Sequence, residues 1–119
     1  MNILGIISRP PYQDSHDLEL IEAAMVAAVF DMNVSLLFRD AGIWALLDNQ
    51  DASPLEQRTL SKVLTALPAY EVENIYVCAD SMDKYALSGQ QFCLPIIALS
   101  LIEQQQLIAQ QHAVLGAQA

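Results

Sequence analysis

Residues 2–8 read NILGIIS, a continuous apolar run that is too short to form a buried helix. The stretch RPPY at residues 9–12 ends this run with two prolines. A short unbroken apolar run between such boundaries is typical of a strand that is covered on both faces, as strands of parallel sheets are. We therefore predict a first buried strand at residues 2–8 and a sheet that is mostly parallel.

Strand and helix patterns alternate along the rest of the chain. Leu18, Ile21 and Met25 recur at three- and four-residue steps behind an acidic first turn, which predicts an amphipathic helix starting near Asp14 or Ser15. Further strands are predicted at 34–38, 74–78, 94–99 and 112–116, and further helices at 43–47, 53–67, 80–85 and 100–111. This alternation indicates an α/β fold with helices on both faces of the sheet.

Helix starts are marked by capping signals at two places. Ser53 and Pro54 are followed by Glu56, and Ser100 is followed three residues later by Glu103. A capping residue with an acid at the third helical position satisfies backbone N–H groups at a helix start. Pro68 is expected to end the helix that begins at Ser53.

The length and composition favour one domain that belongs to a larger assembly. The chain has 119 residues, enough for one hydrophobic core. Hydrophobic residues make up 54% and charged residues 16%, a composition rich in apolar side chains for a free monomer of this size. We expect part of the apolar surface to be covered by partners.

The charge balance argues against nucleic acid and membranes as direct partners. The net charge is -9, from 14 acidic and 5 basic residues, and no run of Lys or Arg is present. Such a chain lacks the positive charges that bind phosphates and is repelled by anionic lipid. Neither a signal peptide nor a membrane span is recognisable, so we expect a cytoplasmic protein.

The two cysteines and four glycines suggest no cofactor or metal. Cys78 and Cys93 form no CxxC pair, so neither a disulfide framework nor a zinc site is predicted. The glycines stand alone, without a phosphate-binding pattern. We predict no bound cofactor.

Cys78 is the one candidate for chemistry. It closes the strand predicted at residues 74–78, and a helix is predicted to begin just after it. The positive end of a helix lowers a thiol pKa, and a thiolate there can accept and pass sulfur as a persulfide. The alternative is a buried cysteine that packs as a small hydrophobe, with Asp80 opposing its ionisation. Cys93, at the entry of a strand, is expected to be structural.

Other candidates have simpler explanations. His16 and His112 have no nucleophile or carboxylate at motif spacing, so surface or capping roles are the default. Asp80 and Asp83 are explained by helix capping and first-turn charge.

Trp44 and Leu47 lie on a short apolar segment. They are predicted either to face a partner, since aromatic residues anchor interfaces, or to pack in the core.

Three segments taken together resemble one known family. They are the first strand with the following Pro11 and Tyr12, the stretch LLFRDAGIWALL at 36–47, and the stretch IYVCADS at 75–81. Their order and spacing resemble the DsrE/DsrF-like sulfur-relay proteins over essentially the whole chain, most closely the DsrF/TusC branch.

The resemblance implies one DsrE/DsrF-like domain at residues 1–119 with a flavodoxin-like fold. It implies assembly with TusB/DsrH-like and TusD/DsrE-like subunits as a dimer of heterotrimers. In TusBCD-type complexes, sulfur is relayed as a persulfide toward 2-thiouridine at the tRNA wobble position; related Dsr complexes serve dissimilatory sulfur oxidation. The sulfur-carrying cysteine is assigned chiefly to the TusD/DsrE-like subunit, at a place that matches Cys78 here.

The leading hypothesis is therefore a TusC/DsrF-like, largely structural subunit of a sulfurtransferase complex, with Cys78 as the persulfide candidate. Two alternatives remain open at this stage. One is a stand-alone persulfide carrier that uses Cys78, and the other is a non-catalytic homo-oligomeric module.

Overall fold

The computed structural model describes residues 1–9, 16–47, 63–72, 74–87 and 92–116. Within these residues, five strands form one sheet in the order β4-β3-β2-β1-β5, and every strand pairing is parallel. The strands are β1 (Asn2–Ile7), β2 (Asn33–Phe38), β3 (Asn74–Cys78), β4 (Ile97–Leu99) and β5 (Ala113–Leu115). The α-helices are α1 (His16–Val29), α2 (Ala79–Lys84) and α3 (Leu101–Ala109), and 3-10 helices span Asp40–Leu46 and Leu67–Tyr70.

This architecture confirms the α/β fold with a parallel sheet flanked by helices. The strand at 94–99 is shorter than predicted, because β4 begins only at Ile97, after Pro95. Proline lacks the N–H that a ladder requires, so the apolar residues before Ile97 do not extend the strand. Of the helix predicted at 53–67, Val63 and Leu64 are helical and residues 53–62 lie outside the described residues.

The alternation of side chains along the central strands divides the core into two layers. Ile3 and Ile7 of β1 pack in a large cluster that includes Ile21 of α1. Leu4 and Ile6, on the opposite face of β1, belong to a smaller cluster that reaches Leu107 and Ile108 of α3. The central strands are thus covered on both faces, which explains why they are almost wholly apolar.

The capping box predicted at the start of α3 is present. The Ser100 hydroxyl accepts a hydrogen bond from the Glu103 backbone N–H at 3.2 Å, and Glu103 Oε1 accepts one from the Ser100 N–H at 3.0 Å. The bond from the Ser100 N–H reaches the carboxylate and favours its ionised form, so the pKa of Glu103 lies below its ordinary value. The two bonds fix where α3 starts, directly after β4.

Gly42 lets the first 3-10 helix approach the end of β1. A Cβ atom at this position would lie 2.1 Å from the carbonyl oxygen of Ile7. The same oxygen accepts a hydrogen bond from the Arg39 N–H at 3.0 Å, so the backbone there cannot move away without breaking that bond. A side chain at position 42 is therefore excluded by backbone rather than by a flexible neighbour.

We expect Gly42→Ala to lower the free energy of unfolding by about 3 kcal/mol, measured by urea denaturation. Gly5→Ala is the matched control, because its Cβ would meet only side-chain methyl carbons of Leu36 and Leu20, at 2.8 and 3.0 Å. These can shift, so a loss of about 1 kcal/mol is expected. Equal losses for the two variants would contradict the role given to Gly42.

Candidate functional site

Cys78 lies where β3 ends and α2 begins. It is the last residue of the strand and the N-cap residue of the helix. Because β3 lies between β2 and β4 in a parallel sheet, the carboxyl ends of these three strands meet at one edge. The residue is buried, with 4% of its surface exposed. The predicted position of Cys78 at the start of a short helix is thus observed.

Ser81 joins this turn to the turn after β2. The Asp40 backbone N–H donates a hydrogen bond to Ser81 Oγ at 2.8 Å. Asp40 has a φ of 51°, a left-handed conformation that aspartate tolerates better than most residues. Since the Ser81 oxygen accepts from Asp40, its own hydroxyl hydrogen is available to donate to the sulfur of Cys78.

Gln104 approaches the site from α3, the helix that directly follows β4. Its side chain is buried, and its Nε2 donates to the carbonyl oxygen of Leu99 at 3.1 Å. Leu99 pairs with Cys78 in the β3–β4 register. The amide therefore lies at the same edge of the sheet as the thiol.

Two opposing effects set the pKa of the Cys78 thiol. Burial raises the pKa, because it disfavours the charged thiolate. The side chains of Ser81 and Gln104 and the backbone N–H groups of Ser81 and Asp80 lower it by donating toward the sulfur. The donors prevail, so the pKa lies below its ordinary value. The Cys78 side chain makes no capping hydrogen bond of ordinary geometry with α2, so the two backbone donors act at a longer distance or a poorer angle.

Trp44 and Leu47, the candidate interface residues, differ in exposure. Trp44 is 38% exposed and packs edge-on against Tyr85, with ring centroids 5.6 Å apart. Tyr85 is the C-cap residue of α2, so Trp44 rests against the helix that follows Cys78. Leu47 is half-buried against the core and forms an isolated antiparallel bridge with Phe92. Trp44 thus keeps more exposed surface, whereas much of Leu47 already packs within the chain.

The other sequence candidates lie apart from the thiol or are explained by the fold. Cys93 is half-buried, and its N–H donates to the Leu46 carbonyl at 2.9 Å. His112 Nδ1 accepts a hydrogen bond from the Asn2 N–H at 2.8 Å, which ties the start of β1 to β5. Asp80 and Asp83 are exposed on α2. Among the described residues, no group of three or more His, Cys, Asp or Glu side chains is placed to hold a metal ion.

Sequence reasoning missed the donors around the sulfur. Ser81 lies three residues after Cys78, which is the spacing between an N-cap residue and the third helical position. This spacing is visible in the sequence and could have indicated that Ser81 lies near the sulfur. Gln104 is one of three consecutive glutamines, and composition alone does not single it out. It shares a helix face with Leu107 and Ile108 by i, i+3 and i+4 spacing, and this pattern marks it as the glutamine that faces the sheet.

The fold and site define a parallel α/β domain with a buried thiol at the carboxyl edge of its sheet. The model of the DsrE/DsrF-like family matches residues 1–116. The chain belongs to the DsrE/DsrF-like family.

Two relatives have informative names. The Protein TusC homolog of Pseudomonas aeruginosa is 33% identical over 97 residues, which cover 81% of this chain and 82% of the relative. The Intracellular sulfur oxidation protein DsrF of Allochromatium vinosum is 32% identical over 80 residues, covering 67% of this chain and 59% of that protein. The resemblance noted in the sequence is therefore confirmed at the level of the family and of its TusC and DsrF members.

Solved structures support the fold. The crystal structure of the ychN protein from E. coli superposes with a TM-score of 0.85 at 19% identity, over 97% of each chain. At this identity the likeness concerns the architecture alone. No helix in the described part of the chain is long and apolar enough to cross a membrane.

We expect Ser81→Ala to raise the pKa of Cys78 by about one pH unit, because a hydroxyl donor to the thiolate is removed. The measurement is the thiolate absorbance against pH in a Cys93→Ser background.

A lowered pKa also means that the thiolate stabilises the folded chain. This contribution to the free energy of unfolding is complete above the ordinary pKa of a thiol. It is lost as the pH falls through the pKa that Cys78 has in the folded chain.

Ser35→Ala is the control for this experiment. Ser35 is also a buried serine, but it lies on β2 opposite Asn74, at the far end of β3 from Cys78. Its removal should leave the titration unchanged. An unchanged titration in Ser81→Ala would show that the hydroxyl does not act on the sulfur.

Proposed function

We propose that this chain is a TusC/DsrF-like subunit of a persulfide-relay complex, assembled with TusB/DsrH-like and TusD/DsrE-like subunits as a dimer of heterotrimers. Its principal role there is to hold partner subunits in place, and Cys78 is the residue available for sulfur chemistry. Family membership and relatives named TusC homolog and DsrF support this proposal.

The observation that carries the proposal is the donor set around Cys78. Donors from the start of α2 and from α3 lower the pKa of its thiol although the residue is buried. A thiolate attacks the terminal sulfur of a donor persulfide, R–S–S–H. A new S–S bond forms at Cys78, the S–S bond of the donor breaks, and R–S⁻ leaves with the electron pair. The terminal sulfur moves with its hydrogen, so no outside oxidant is needed.

The depth of Cys78 supports a subunit rather than a stand-alone carrier. With 4% of the residue exposed, the isolated chain presents little sulfur to a donor in solution. Reactive cysteines are usually partly exposed, so access here would depend on a rearrangement within an assembly.

Exposed apolar side chains on two parts of the surface also support an assembly role. Val29 and Phe30, at the end of α1, are 63% and 71% exposed. Ile97 on edge strand β4 is half exposed, and Leu101 and Ile102 lie exposed on the first turn of α3. Apolar surface of this kind is typical of protein contacts. The net charge of -9 favours contact with protein rather than with RNA.

Within this proposal, the complex serves 2-thiouridine formation at the tRNA wobble position in the cytoplasm. TusC homologs from Pseudomonas aeruginosa and Haemophilus influenzae align with 81% and 79% of this chain. The DsrF relative aligns with 67% of it, and this likeness makes dissimilatory sulfur oxidation the second candidate process.

We expect the chain purified from its own cells to occur with two other small subunits in native mass spectrometry. We also expect Cys78 to carry an added mass of about 32 Da, one sulfur atom, that reductant removes. Cys78→Ser should remove this mass, whereas Cys93→Ser should keep it. Full thiolation of tRNA by a complex with Cys78→Ser would show that this thiol is not on the relay path, and a lone homo-oligomer without added sulfur would exclude the complex.

We expect Trp44→Ala to weaken subunit association about tenfold or more, because truncation of a half-exposed aromatic side chain removes an interface anchor. Trp44→Phe keeps an aromatic ring at this position and should weaken subunit association much less. Association is measured by titrating partner subunits, with circular dichroism to confirm that each variant is folded. Wild-type association in Trp44→Ala would place the interface elsewhere.

A further inference from the structure

Gln104 is a buried polar side chain on the face of α3 that packs against the sheet. Only 2% of the residue is exposed, while the neighbouring Gln105 and Gln106 on α3 are exposed. Burial of an amide is unfavourable unless its polar atoms are hydrogen-bonded. An apolar side chain facing the sheet, such as those of Leu107 and Ile108, would avoid this cost.

The Gln104 amide is held in one place. Its Nε2 donates to the Leu99 carbonyl oxygen at 3.1 Å, and its backbone N–H donates to Ser100 O at 2.9 Å. The capping box of Ser100 and Glu103 fixes the start of the helix one turn away. Since Leu99 is the pairing partner of Cys78, these bonds bring the amide beside the thiol.

One atom of this amide has no hydrogen-bond partner among the described residues. Gln104 Oε1 is buried and accepts no hydrogen bond from them. It shares a carbon with the Nε2 that lies at the site, so it is within reach of a group bound there. Buried acceptors are usually hydrogen-bonded, so a donor is expected near Oε1. The S–H of a thiol or a persulfide is a donor of suitable size.

We propose that Gln104 is a positioning residue for the sulfur of Cys78. One Nε2 hydrogen is anchored on the Leu99 carbonyl, and the other donates to the sulfur. Oε1 accepts a hydrogen bond from the S–H of the thiol or of the persulfide formed on it. The amide thus offers a partner to both protonation states of the sulfur. This assignment rests on the proposed relay function and adds a residue to it.

The test is the titration of Cys78 in a Cys93→Ser background. Gln104→Met keeps the volume and removes both polar groups, and its thiol pKa should rise by about one pH unit. Gln104→Glu keeps the shape and adds negative charge, so its pKa should rise further. Gln105→Met, on the exposed face of the same helix, should titrate like the parent. If Gln104→Met does not fold, the same titration of the nearly isosteric Gln104→Glu tests whether the side chain at position 104 acts on Cys78.

A parent-like pKa in folded Gln104 variants would overturn the positioning role. A second measurement separates this result from failure of the relay function. The assembled complex is exposed to a low-molecular-weight persulfide, and sulfur on Cys78 is followed by mass spectrometry. Uptake should be slower with Gln104→Met than with Gln105→Met. If the unmodified complex takes up no sulfur, the carrier role is lost, while the titration alone still decides the contact between Gln104 and Cys78.

Discussion

The hydrogen bond from the Asp40 N–H to Ser81 Oγ, 2.8 Å long, joins the two turns on which the site depends. The parallel register of β2 and β3 makes it possible, because Phe38 lies opposite Val77 and the two strands end within one residue of each other. The bond also orients the serine, since an oxygen that accepts from Asp40 directs its hydrogen elsewhere. The left-handed backbone of Asp40 is part of this arrangement.

The same junction depends on the absence of a side chain at Gly42. The 3-10 helix that begins at Asp40 packs on the last carbonyl of β1, and a Cβ at position 42 would displace the helix. A displaced helix would carry Asp40 away from Ser81 and Trp44 away from Tyr85. Backbone packing at the end of β1 is therefore coupled to the hydrogen bonding around a thiol two strands away.

The sequence predicted the fold more completely than the site. Continuous apolar runs such as 2–8 identify buried parallel strands because only two-sided burial tolerates them. The short length of β4 was harder to predict. The residues before Ile97 are apolar, but Pro95 lacks the N–H needed to extend the strand pairing. At the site, the place of Cys78 followed from its position between strand and helix. The role of Gln104 depends on which face of α3 meets the sheet, and that is a property of packing between distant segments.

The charge of the chain explains why the thiol relies on neutral donors. A net charge of -9 gives a negative potential, which by itself would disfavour a thiolate. That potential is screened over about 8 Å at physiological salt, whereas the effect of nearby donors within the fold is screened much less. The groups that lower the pKa of Cys78 are thus all uncharged donors, from Ser81, Gln104 and the start of α2. A site built this way attracts no anion from a distance, so a sulfur donor would have to be brought to it by contact between proteins.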